Sequence, residues 1–148
     1  MTPRLFPTPE AAAMEGFNSE HCRVLAVELD GDDGFVMLDT GPPRSPYLYG
    51  GTVKREFGGW SGGIDSNGGG IGWTSTEPDR DVGVVHVCGE APEGADAVRV
   101  SWRGTSRESP VRNGIVLLTW WQEKNPQRAY PRVVAYRVGD EWIEAESW

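Results

Sequence analysis

Residues 82–146 constrain the fold most, because short runs of β-forming residues follow one another there at close intervals. Gly, Pro and Asn punctuate the runs, and this spacing favours an antiparallel sandwich or barrel over βαβ units. We therefore predict strands over residues 82–88, 97–103, 107–112, 115–121, 132–138 and 141–145.

Two of these runs place their apolar residues differently. Along residues 98–103 apolar and polar residues alternate, so Val98, Val100 and Trp102 are predicted to face the core and the side chains between them the solvent. Residues 115–118 are apolar at every position, which predicts a central strand that is buried on both faces.

The N-terminal half predicts one short helix and a hairpin. Thr8 can cap the helix, Pro9 suits its first position and Gly16 can end it. Residues 24–29 and 35–39 flank an Asp- and Gly-rich loop over residues 30–34, which is typical of a β-hairpin.

These patterns predict a mainly β chain, an antiparallel β-sandwich or partly open barrel with one short N-terminal helix. The 148 residues are enough for one domain that folds without disulfides or metal. Within it we expect a β-rich half at 1–57, a Gly-rich connecting loop at 58–72 and a β-rich half at 73–148.

Glycine is concentrated in the middle of the chain, where ten of the 20 glycines lie between residues 50 and 72. Ordering so much glycine is entropically unfavourable, so its retention needs an explanation. Either a connecting loop is anchored by buried Trp60 and Trp73, or a binding loop presents these indoles to a partner. The candidate residues for binding a partner or ligand are Trp60, Trp73, Tyr47, Tyr49 and Asp65.

Both histidines lie beside the two cysteines, as His21-Cys22 and His86-Val87-Cys88. Four such side chains can form a tetrahedral zinc site. Strand geometry places His86 and Cys88 on one face but sends His21 and Cys22 to opposite faces. The alternative is that the cysteines are small buried residues, and a disulfide between them is a further possibility.

Three sequence motifs that resemble known sites lack the context that their chemistry requires. Residues 59–63 match the letters of the serine hydrolase elbow, but the glycines that follow cannot begin a helix. Residues 30–34 lack the ligands of a calcium loop, and residues 68–72 lack the lysine and helix of a phosphate loop. We therefore predict no catalytic residue and no cofactor, and favour a protein that is not an enzyme.

The net charge of −8 and the pI near 4.7 argue against a protein that coats nucleic acid or an anionic membrane. Residues 99–137 hold eight basic and two acidic side chains, so the rest of the chain is strongly acidic. Either the arginines pair with acids of neighbouring strands, or the acidic N-terminal half meets a basic partner. Because no signal peptide or membrane span is visible, we expect a cytoplasmic protein.

The segments TPEAAAMEGF, PYLYGGTVKREFGGW and PVRNGIVLLTWW resemble small bacterial proteins of unassigned function. The first half is also similar to NTF2-like domains, in which a strand ends in an aromatic and a Gly-Trp pair like Gly59-Trp60. Those domains begin with several long helices, whereas this chain offers one short helix. The resemblance therefore implies no activity and no site residue here.

Three functions fit these observations. The first is a non-catalytic module that binds another protein, with a basic partner as its most concrete form, in an acidic regulatory or toxin-neutralising role. The second is a small-molecule-binding protein or small enzyme whose pocket is lined by Trp and Tyr. The third is a structural domain that binds zinc through His21, Cys22, His86 and Cys88.

Overall fold

The computed structural model describes residues 4–17, 20–41, 47–62, 66–67 and 70–145. The predicted mainly β, antiparallel fold with one short N-terminal α-helix is confirmed over these residues. The elements are α1 (Pro9–Ala13), β1 (Arg23–Asp30), β2 (Asp33–Asp39), β3 (Leu48–Glu56), β4 (Gly59–Ser61), β5 (Ser66–Asn67), β6 (Gly70–Glu77), β7 (Val82–Glu90), β8 (Ala97–Trp102), β9 (Thr105–Pro110), β10 (Ile115–Lys124), β11 (Arg132–Val138) and β12 (Glu141–Glu144).

The chain divides into two compact units, residues 1–69 and residues 70–148. The boundary falls inside the Gly-rich segment that was predicted to connect two β-rich halves. Described parts of that segment nevertheless lie in strands β4, β5 and β6. In the described part of the chain, no helix is long and apolar enough to cross a membrane.

The first unit is an antiparallel sheet in the order β1-β2-β3-β4, with β5 also paired to β3. Helix α1 begins as predicted, since the Thr8 hydroxyl accepts a hydrogen bond from the Ala11 amide at 3.1 Å. A helix of five residues is too short to be stable alone, so it depends on docking. Ala12 and Ala13 pack on the sheet in a core with Val36, Leu38, Val53 and Trp60.

The second unit holds two sheets, in the orders β10-β7-β6 and β12-β11-β8-β9. Their facing side chains form one core: Val85, Val87, Val98, Val100, Trp102, Val116, Leu118, Trp120 and Val133. The burial of residues 98–103 alternates in the predicted sense: Val98, Val100 and Trp102 are buried, Arg99 and Ser101 are half-buried, and Arg103 is exposed. This unit is therefore a β-sandwich.

The position predicted for residues 115–118 is wrong in one respect. Residues 115–120 of β10 are buried on both faces, but the strand lies at the edge of its sheet, and β7 is the central strand. Side chains of β9 satisfy carbonyls along this edge: Ser109 Oγ donates to Leu117 O at 3.4 Å and Arg107 Nη1 to Thr119 O at 2.8 Å. An apolar run indicates that its residues are buried, but it does not indicate which strands pair with it in the sheet.

Candidate functional site

Tyr47 and Tyr49, two of the predicted binding residues, lie together on the first unit. Their rings stack with centroids 5.5 Å apart, and Phe17 packs against Tyr49 at 5.3 Å. The hydrogen bond with Tyr47 raises the pKa of the Tyr49 phenol above its ordinary value. These rings form a partly exposed aromatic cluster, in which Tyr and Phe offer a large contact area.

The buried carboxylate of Asp39 positions this cluster. Its Oδ1 atom accepts hydrogen bonds from the Gly41 amide at 2.9 Å and the Tyr47 amide at 3.0 Å. Arg23 Nε lies 3.4 Å from Oδ2. One side chain therefore joins the end of β2 to the start of β3 and fixes the backbone from which Tyr47 projects.

The other candidate binding residues are Trp60, Trp73 and Asp65. Trp60 is buried in the core of the first unit, under the guanidinium of Arg55 at 5.7 Å from the ring centroid. Trp73 belongs to the second unit and is 40% exposed on β6. Asp65 lies outside the described residues. Trp60 is therefore an anchor of the core, and Trp73 is open to contacts.

The predicted zinc ligands are divided between the two units. In the first, His21 is exposed and Cys22 is buried; in the second, His86 and Cys88 lie on the same face of β7. Both cysteines are free thiols. Across the described residues no group of three or more His, Cys, Asp or Glu side chains is placed to hold a metal. A zinc site built from all four residues remains a prediction.

Burial controls the ionisation of these groups. It raises the pKa of the Cys88 thiol to about 11, and it raises the pKa of Cys22 together with the nearby charge of Asp39. Burial also lowers the pKa of His86 to about 4. At neutral pH both thiols are protonated and the imidazole is neutral, so neither cysteine is an activated nucleophile.

Several glycines in the middle of the chain provide space for neighbouring side chains. A Cβ atom at Gly50 would collide with the sulfur of Met37, and one at Gly59 would lie 2.8 Å from Leu5 Cβ. At Gly72 it would lie 3.3 Å from two atoms of the His86 ring. Close packing therefore explains these glycines without flexibility or a ligand.

The most unusual exposed residue is one that the sequence analysis missed. Phe57 and Gly58 form the turn between β3 and β4, and both have positive φ, at 54° and 80°. Phe57 is 90% exposed. Hairpin turns of this kind favour Asn-Gly or Gly-Gly, and a bulky residue there is a steric outlier. The Phe-Gly-Gly sequence between two strands is the only signal that points to this turn.

A second hairpin tip lies beside Phe57. The β1–β2 turn is at the same end of the sheet, and the Arg55 side chain bonds Asp32 Oδ1 at 2.9 Å while the Arg55 amide donates to Asp32 O at 2.7 Å. Leu29, the last apolar residue of β1, lies at this end of the sheet and is 53% exposed. We call this region, residues 28–33 and 54–59, the twin-hairpin end.

Many arginines of the second unit have acidic partners. Arg99 pairs with Glu108 across strands at 2.9 Å, and Arg137 pairs with Asp96 at 2.7 Å. Both guanidinium groups also lie over the ring of Trp142. The predicted pairing of arginines with acids on a sheet surface therefore holds for these residues, and such exposed pairs stabilise the fold little.

Comparison with protein-family models, curated proteins and solved structures found no match to this chain. The similarity to NTF2-like domains thus rests on the sequence segments alone. The functional inference rests on the geometry described above.

Proposed function

We propose that the protein is a non-catalytic module that binds a partner protein through its twin-hairpin end. The observation that carries the proposal is Phe57, a large apolar side chain that is exposed and held in an unfavourable backbone conformation. Strain of this kind is retained where the surrounding structure enforces it, often at ligand clamps and other functional sites. An exposed aromatic ring on a rigid tip is suited to insert into a pocket of a partner.

The charge around the tip favours a basic partner. Glutamate and aspartate outnumber Lys54 and Arg55 over the twin-hairpin end: Glu28, Asp30, Asp32, Asp33 and Glu56. Both cations are paired within this end, Lys54 with Glu56 and Arg55 with Asp32. An apolar centre with an acidic rim complements a basic surface and speeds encounter with it. A regulatory or toxin-neutralising role towards a basic protein is the form we propose.

The test is photo-crosslinking in the cells that naturally produce the protein. A benzophenone amino acid replaces Phe57 in one sample and Val138, an exposed apolar residue of the second unit, in the other. We expect one crosslinked partner from position 57 that position 138 does not give. Mass spectrometry then identifies the partner, which we expect to be a basic protein.

Variants at the same position provide the control. Phe57→Asn should weaken binding of that partner about tenfold or more, because it removes the ring, whereas Phe57→Trp should retain binding. Equal binding by Phe57→Asn and the unchanged protein would overturn the proposal. So would crosslinking from position 57 that gives no discrete product.

A further inference from the structure

A second surface of opposite charge lies on the second unit, in the connection between β10 and β11. Residues 124–132 expose three cations, Lys124, Arg128 and Arg132, on either side of Tyr130, which is 58% exposed. Among the described residues none of these cations has an ion-pair partner, in contrast to Arg99 and Arg137. We call residues 124–132 the basic loop.

The backbone of the basic loop is fixed by side chains that belong to the sandwich. Trp102 Nε1 donates to Ala129 O at 2.9 Å, and Arg103 Nη2 donates to the carbonyls of Lys124 and Asn125, each at 3.1 Å. The Asn125 amide donates to Asp81 O at 2.8 Å. Pro126 and Pro131 are buried. The loop is thus held in one shape while its charged side chains point outward.

Two side chains at the end of β8, those of Trp102 and Arg103, hold this loop by hydrogen bonds. Arg103 has a left-handed backbone, with φ of 47°, and its guanidinium lies 4.3 Å from the Trp102 ring centroid and 3.4 Å from Glu123. Glu123, the acidic neighbour of Lys124 in the chain, pairs with Arg103, and Asp81 accepts the Asn125 amide through its backbone carbonyl. Lys124, Arg128 and Arg132 place three exposed positive charges around Tyr130 in an otherwise acidic protein.

We propose that the basic loop is a docking surface for an acidic segment of a partner protein. Arg and Tyr are enriched in protein interfaces, where Arg can bond a carboxylate through two nitrogens and Tyr supplies apolar area. Because the loop is already held in one conformation, less conformational entropy is lost when a partner binds. A long polyanion fits less well, because the net charge of −8 repels it. The basic loop belongs to the second unit and the twin-hairpin end to the first, and the two have opposite charge preferences.

The test is a selection of random displayed peptides on the whole protein. We expect the recovered peptides to be enriched in Asp and Glu over the input library. Their binding should weaken about tenfold or more in the double variant Arg128→Ser/Arg132→Ser and weaken with added salt. Because both side chains are exposed and unpaired among the described residues, the double variant should unfold at the same urea concentration as the unchanged protein.

Arg112→Ser is the matched control. Arg112 is an exposed arginine of the same unit near the start of β10, whereas the basic loop follows the end of that strand. It should leave peptide binding unchanged, as should Phe57→Asn, so this proposal and the proposed function fail independently. Peptides without acidic enrichment, or equal binding by the double variant, would overturn the proposal.

Two other occupants are outcomes of the same experiment. If single-stranded RNA binds with an affinity that depends on Arg128 and Arg132, the surface belongs to nucleic acid and the proposal is overturned. If the protein self-associates and the double variant does not, the occupant is a second copy, and the proposal is overturned as well.

Discussion

Phe57, Arg103 and Asn113 occupy the same kind of position, each preceding glycine in a turn with positive φ. Asn tolerates this conformation, so the Asn113-Gly114 turn is favourable. Arg103 offsets its strain with hydrogen bonds to Lys124 and Asn125. Phe57 is 90% exposed and gains little packing within its own chain. Of the three turns, the one at Phe57 therefore has the poorest match of residue to backbone.

The substitution Phe57→Asn is expected to stabilise the protein. It should raise the free energy of unfolding by about 0.5 to 1 kcal/mol, because Asn adopts the left-handed conformation at lower cost. Urea unfolding measures the change. Phe57→Ala, which removes the ring but keeps a Cβ without a polar group, should give a smaller gain. A loss of stability in Phe57→Asn would show that the ring is packed and not free to bind.

At the scale of elements, one buried side chain reinforces the pairing of β2 with β3 where the chain leaves the first strand and enters the second. Asp39 receives two backbone amides from either side of the connection, and the Thr40 amide donates to Tyr47 O at 2.8 Å. The side chain holds the two strands in register at this end of the sheet. The aromatic cluster depends on that register, because it begins at Tyr47.

Replacing Asp39 by Ala is expected to lower the free energy of unfolding by about 2 kcal/mol, since it leaves the buried amide of Gly41 and the partly buried amide of Tyr47 without their acceptor. Hydrogen exchange at both amides should become faster. Asp39→Asn retains an Oδ1 acceptor and should lose much less stability. Equal losses of unfolding free energy in Asp39→Ala and Asp39→Asn would show that the charge of Asp39, and not its hydrogen bonds, stabilises the fold, and would contradict this account.

The positions of most strands could be predicted, because alternation and turn residues are local signals, as residues 98–104 illustrate. The stacking of Tyr47, which immediately precedes β3, on Tyr49 also follows from their spacing of two residues along the chain. The edge position of β10 and the burial of Trp60 depend on contacts distant in sequence, such as the pairing of Phe6 with Trp60. Phe57 was missed because its exposure depends on the register of β3 and β4, which places it in the turn.

At the scale of the whole molecule, charge and burial set the response to pH. The first unit has five basic and ten acidic side chains, and the second has nine and twelve. Both units therefore lose net negative charge as the pH approaches the pI near 4.7. His86 makes its own contribution to the pH dependence of stability, because its imidazole stays neutral in the folded protein down to about pH 4.

Acidification is expected to destabilise the protein through His86. The unfolded imidazole takes up a proton near pH 6.5 and the folded one only near pH 4, so stability is complete above pH 6.5 and falls as the pH is lowered between these values. The loss is about 3 kcal/mol at most. His86→Gln should flatten this part of the profile in urea unfolding. An unchanged slope in His86→Gln would refute the assignment.

The contact between Trp102 and Trp120, whose ring centroids lie 5.3 Å apart, gives the sandwich an optical signature. Two indoles this close couple their electronic transitions, so they give a circular dichroism signal that an isolated indole does not. The hydrogen bond from Trp102 to Ala129 links that signal to the basic loop. A ligand that binds the basic loop and shifts Ala129 therefore changes the circular dichroism spectrum of the protein, and no attached label is needed to detect it.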